Sequence, residues 1–265
     1  MKIHRIKEIL VYIIAETNTL TKHFSGTKLD DNHIRTFCLI MIDRLNLVCE
    51  GINECFDHYN ENNKIEFTIG LSLRAVLLDY LITMVAHNQL KEDKEAGKSN
   101  FDIGNKLNRY CQGYLSEGIQ KTFNHINLIG EEIDASEKAQ VYSALYYSNP
   151  NLFHTYHHDG SEPKLIYTST LQNKQLFEKI RNSKTFKKVA WVYHSYLYYS
   201  KYDHFGNMYY QLSRNHNVNK LQTMERAVTV LQAFMGSLVY IMLHVYPDDT
   251  VLKNLYLKLS EPSEN

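Results

Sequence analysis

Prolines are scarce in this sequence: four in 265 residues, at positions 150, 163, 247 and 262. Long stretches are therefore free to run as helix, with no missing N–H and no clashing ring to interrupt them. Cysteines are equally few, at 38, 49, 55 and 111, and none stands in a CxxC pair. That spacing excludes a zinc ribbon and leaves no disulfide framework, so reduced thiols in a cytoplasmic protein are expected. Net charge is missing too, because 29 Lys and Arg balance 29 Asp and Glu. No global field draws such a chain to duplex DNA or to an anionic membrane, although a local basic patch is allowed. A glycine-rich phosphate loop, a GxSxG elbow, an HExxH pair and paired ExxH ligands do not occur.

What the chain does contain is apolar residues, 44% of the total, against 22% charged. That is the composition of a globular protein with a substantial core. The opening "MKIHRIKEILVYIIAETN" has basic residues and a short apolar run, but Glu8 and Glu16 bracket the run and no small-residue cleavage site follows, so a signal peptide is not expected. Ala227 to Tyr246 is as long as a bilayer span. Gln232 and His244 interrupt it, and no basic cluster flanks it, so it reads as a core helix and no membrane partner is expected.

Helical periodicity dominates the rest. Ile3, Ile6, Leu10, Ile13 and Thr17 step by three and four. A second stripe, capped by Asp31, runs Ile34, Cys38, Met41, Leu45, Val48, Ile52, Cys55 and Tyr59. A third helix, about residues 66 to 89, is apolar on nearly every side. The charged "KEDKEAGKSN", about 91–100, reads as a solvated linker. A fourth helix carries Phe101, Leu107, Tyr110, Tyr114, Ile119, Phe123 and Ile126, and a short one follows through "EKAQVYSALYY". Residues 148–170, with two prolines and a glycine, read as a long loop or flap. Helices return at about 171–182, 185–205 and 218–246, with a short one near the C-terminus. The expectation is a single all-α domain over 1–265, a multi-helix bundle of about seven main helices.

Two ionisable features stand out. The inward face of the helix over 185–205 reads Phe186, Val189, Tyr193, Leu197, Ser200 and His204, with Gly206 placed to end it. A histidine on such a face is either a satisfied structural group, favoured by the helix C-terminal dipole, or a working one. Arg74 sits between Phe67, Leu71, Leu78, Leu81 and Val85, a stripe where a guanidinium requires a carboxylate or a bound anion. Asp79, about 140° further around the wheel, shares a polar strip with Thr68, Ser72 and Thr83. An internal salt-bridge network that fixes packing is the competing explanation. The segment "HTYHHDG", with His154, His157, His158 and Asp159, gathers metal-ligand types on a loop without a supporting helix pair, and no metal is expected there. Twenty tyrosines cluster in "YSALYY", "YHSYLYYSKY" and "MYYQL", as core-boundary packing groups or as rings that stack on a base.

"SLRAVLLDYL" together with "YYSKYDHFG" resembles the HEPN-like helical families of bacteria, over roughly residues 70–80 and 191–206. Members that cut RNA use an Arg, a polar residue and a His four to six positions on, without metal. "RNH" at Arg214 to His216 has the wrong spacing, and "RNSKTF" at Arg181 has no histidine. The resemblance implies a bacterial protein that binds or processes RNA, a nucleotide or another anionic ligand; a cytoplasmic location, no cofactor and a possible homodimer complete the expectation. Its catalytic pair would be His204 and Arg74, with Asp79, Tyr198, Ser200 and Asp203 as ligand-binding neighbours. The alternative is a non-catalytic interaction or structural module whose buried polar residues only set helix packing.

Overall fold

A computed structural model describes residues 2–25, 32–59, 65–128, 134–154, 161–166, 170–186, 189–203 and 220–260. Among these residues the regular structure is all helical, with nine α-helices where the stripes suggest about seven. In chain order they are α1 (Lys2–Phe24), α2 (His33–Asp57), α3 (Ile65–Glu95), α4 (Asn100–Leu128), α5 (Ala135–Ser148), α6 (Asn173–Ile180), α7 (Val189–Asp203), α8 (Lys220–Val245) and α9 (Thr250–Ser260). The chain divides into two compact units, one of residues 1–27, 38–97 and 172–265, the other of residues 28–37 and 98–171.

In the first unit α3 is the central element, packing on α6, α7 and α8, while α8 also packs on α1 and α9. The α1 stripe buries Ile6, Leu10, Ile13, Leu20 and Phe24. On α8 the seam Met224, Val228, Leu231, Met235, Leu238 and Met242 is buried, joined by Ala227, Phe234 and Val239. Each of these larger apolar side chains contributes about 1.5–3 kcal/mol by leaving water. Hydrogen bonds set the register of α1 against α2: Thr21 donates to Asp43 (3.0 Å), Thr17 to Asn46 (2.6 Å), and Lys7 pairs with Asp57, so the two helices run antiparallel. Pro247 and Asp248 separate α8 from α9, and Asp249 caps α9 by accepting from the Leu252 N–H (3.0 Å).

α3 and α8 are the two described helices long and apolar enough to cross a membrane, and most of each apolar window is buried inside the protein, 72% and 56%. α3 also outruns its expected end. The stretch read as a linker from 91 continues the helix to Glu95, because Lys, Glu and Asp are tolerated on a helix face and no breaker precedes Gly97. Gly97 then stops it in the left-handed region (φ 69°), its N–H donating to the Lys94 carbonyl at 3.0 Å.

The second unit is built on α4 and α5. Ser99 starts α4 by accepting from the Asp102 N–H (3.1 Å) and donating to its carboxylate (2.6 Å). Asp134 caps α5 through the Ser136 N–H. Its core is Ile119, Phe123, Ile126, Tyr142, Leu152, Phe153 and Leu165, with Phe123 edge-on to Tyr142 at 5.1 Å. Within the stretch read as a flap, Pro150–Leu152 forms a 3-10 turn, and Phe153 pairs antiparallel with Leu165. At the start of α2 the cap is Asn32, whose side chain accepts from the Arg35 N–H (3.1 Å); Asp31 lies outside the described residues.

Candidate functional site

Asp79 is buried on α3, and its carboxylate is gripped on both oxygens by Arg44 of α2: Nε to Oδ2 at 2.8 Å and Nη2 to Oδ1 at 3.3 Å. The pair is asymmetric, with the Asp79 side chain only 10% exposed and that of Arg44 51%. Burial pushes the Asp79 carboxyl up from its ordinary value by more than the hydrogen bond and charge of Arg44 bring it down. The polar strip expected beside Asp79 is present, but it bonds to its own backbone. Thr83 donates to the Asp79 carbonyl (2.9 Å) and Ser72 to the Thr68 carbonyl (3.0 Å).

Arg74 is half-buried, as are Phe67, Leu71 and Leu78 on the same face. The fully buried face of α3 is instead Ile69, Leu73, Val76, Leu77, Tyr80, Leu81 and Met84. The stripe assigned to Arg74 thus follows the border of the core at Phe67, Leu71, Arg74 and Leu78 and enters the core at Leu81 and Val85, and the Arg74 Nε is itself buried. On α7 the inward face is rotated from the one expected. Val189, Val192, Ser195, Tyr196, Tyr199 and Ser200 are buried, while Tyr193 and Leu197 are half-exposed. The reason is composition: α7 carries large apolar or aromatic residues on every side, so its periodicity does not single out one face. Ser200 is buried as expected and donates to the Leu197 carbonyl (2.7 Å). Tyr198 is half-buried and packs edge-on against Tyr199 at 5.1 Å. Asp203 is the last residue of α7, and His204 lies outside the described residues, as do His157, His158 and Asp159. His154 is described, its N–H donating to the Lys164 carbonyl at 2.9 Å.

A second cluster, not among the sequence-derived candidates, occupies the C-terminal half of α3 and of α8. His87 stacks on Tyr240 with ring centroids 4.3 Å apart and planes at 18°, and meets Phe186 edge-on at 5.1 Å. Lys94 lies over the Tyr240 ring, 5.1 Å from its centroid. His87 and Lys94 are two turns apart on one helix, about 10 Å of rise, and both contact the Tyr240 ring. Burial, with Lys91 and Lys94 nearby, brings the His87 imidazole down to about 4, and its Nδ1 is buried with no hydrogen-bond partner. Burial and then Lys94 lower His244 as well. The sequence signal was the spacing of His87, Lys91 and Lys94 at i, i+4 and i+7, and of Tyr240 and His244 at i, i+4. It was masked by reading residue 91 onward as linker.

Comparison with known proteins leaves these residues to be interpreted on their own geometry: no protein-family model, curated protein or solved structure matches the chain.

Proposed function

We propose that this chain is a non-catalytic structural or protein-interaction module of the cytoplasm, in which buried polar residues fix the packing of helices. The observation that carries this reading is the two-point grip of Arg44 on Asp79. Asp79 is committed to a neighbouring helix, and the buried hydroxyls of Thr83 and Ser200 are committed to backbone carbonyls, so these groups serve the fold. The test is a panel of Asp79→Asn, Ser200→Ala and Arg74→Met proteins, measured for thermal stability and for binding and cleavage of single-stranded RNA. On this reading the substitutions move stability alone, and neither the parent nor the variants cut RNA.

The HEPN-like reading, with Arg74 as an anion anchor and His204 as its acid or base, draws on the half-buried position of Arg74 at the border of the core, where a guanidinium needs an anionic counterpart. Metal-independent RNA cleavage abolished by both Arg74→Met and His204→Ala would decide for it.

A further inference from the structure

We propose that Thr36, Ser148 and Asn149 hold a structural water, which bridges the first turns of α2 to the corner where α5 ends. This goes beyond the packing role just assigned and involves none of its residues, so either reading can fail alone.

A cavity of about 20 Å3 brings these residues together. It lies wholly within the second unit, between the start of α2 and residues 115 and 148–152. A polar cavity of about 10–15 Å3 already takes one water, so this one has room for a water and little more. Its wall is polar at His33, Thr36, Ser148 and Asn149 and apolar at Leu115 and Leu152. Among the described residues no carboxylate, lysine or arginine lines it. The two helix ends that meet there, the first turn of α2 and the last of α5, carry opposite partial charges. Asn32 already caps the α2 end: its Oδ1 accepts from the Arg35 N–H (3.1 Å) and its carbonyl from the Thr36 N–H (3.2 Å). An uncharged occupant fits such a wall better than an ion of either sign.

Thr36 decides the assignment. The residue is only 8% exposed, and its hydroxyl has no hydrogen-bond partner among the described residues. Threonines elsewhere in these helices turn the hydroxyl back onto the carbonyl one turn earlier: Thr17 onto Ile13 (2.8 Å), Thr83 onto Asp79 (2.9 Å) and Thr229 onto Glu225 (2.8 Å). Thr36 does not, although the Asn32 carbonyl stands in the same place. A buried hydroxyl left unpaired costs free energy, and the cavity is where Thr36 can meet a partner. On the α5 side, the Asn149 Nδ2 donates to the Leu145 carbonyl (3.3 Å), which leaves its Oδ1 as an acceptor. Water completes both groups, accepting from Thr36 and donating to Asn149, with the Ser148 hydroxyl as a third partner.

The experiment is oxygen-17 water relaxation dispersion on the full chain, which counts slowly exchanging waters without interference from hydroxyl protons. The parent is expected to hold about one long-lived water more than Thr36→Val. Thr36→Ser, which keeps the hydroxyl, should match the parent. Equal dispersions in the parent and in folded Thr36→Val would overturn the proposal, as would loss of the water in folded Thr36→Ser. A crystal structure of the parent gives a second reading that depends on no variant. One water hydrogen-bonded to both Thr36 and Asn149 supports the site. A Thr36 hydroxyl turned back onto the Asn32 carbonyl, or a cavity that holds an ion or no density, overturns it.

Discussion

Asp79 and Arg44 form an ion pair in which the anion is buried and the cation is half in water. Removing the two partners should therefore have unequal consequences. Arg44→Met strands a carboxylate in the core and is expected to cost about 3–5 kcal/mol at neutral pH, whereas Asp79→Asn leaves a guanidinium that water can solvate and should cost under about 1 kcal/mol. The folded-state value for Asp79 is already raised, so its ionised form opposes folding at neutral pH and the penalty is relieved as pH falls. Arg44→Met should regain stability relative to the parent on acidification. Urea unfolding of both variants at neutral and mildly acidic pH measures the difference; equal losses would show that the pair is not the determinant of packing.

His87 gives a second pH signature. Its folded value is about 4 against an ordinary 6.5, so the fold holds it neutral. Its contribution is complete above about pH 6.5 and is lost as pH falls toward 4, by about 3 kcal/mol in total. His87→Gln cannot titrate and should show a shallower loss of stability across that window. Parallel pH profiles for the two proteins would refute the assignment.

Glycines separate in the same way. Gly51 lies on an exposed face of α2, where an added Cβ meets nothing within 4 Å, so Gly51→Ala should stabilise by about 0.5–1 kcal/mol. Gly97 has φ of 69°, and Gly97→Ala should destabilise by about 1 kcal/mol. Thermal melts of the two variants should move in opposite directions.

Thiol reactivity should follow burial. Cys38, Cys49 and Cys111 are buried, and burial pushes the Cys49 thiol up to about 12 and that of Cys38 further. Cys55 is half-buried. A disulfide exchange reagent should label Cys55 alone, slowly, in the native protein, and all four thiols in denaturant. Rapid native labelling of Cys49 would contradict the packing of α2.

Phe234 is fully buried on α8 and meets Tyr80 of α3 at 5.4 Å. Phe234→Ala should cost about 3–5 kcal/mol, while Leu47→Ala, at a side chain that is 66% exposed, should change stability by less than about 0.5 kcal/mol. Denaturant midpoints compare them directly.

The stripes of α1 and α8 were legible from sequence because each presents one apolar face to the core, and a 3.6-residue period marks that face without knowledge of the partner. The same period was uninformative for α7, where aromatic residues surround the helix, and it placed Arg74 in a stripe that is buried at Leu81 and Val85 but follows the border of the core from Phe67 to Leu78. The end of α8 was legible to within a residue, just before Pro247, but the charged residues 91–95 looked like a linker because helix propensity does not distinguish a solvated helix face from a solvated loop, and the stop at Gly97 was missed. Asp79 was recognised as a buried charge from its surroundings on α3. Its partner was not, because Arg44 lies 35 residues away on another helix. The stack of His87, Tyr240 and Lys94 shares that origin: local sequence sets which residues lie on one face of a helix, and only the packing of α3 against α8 decides which ring that face meets.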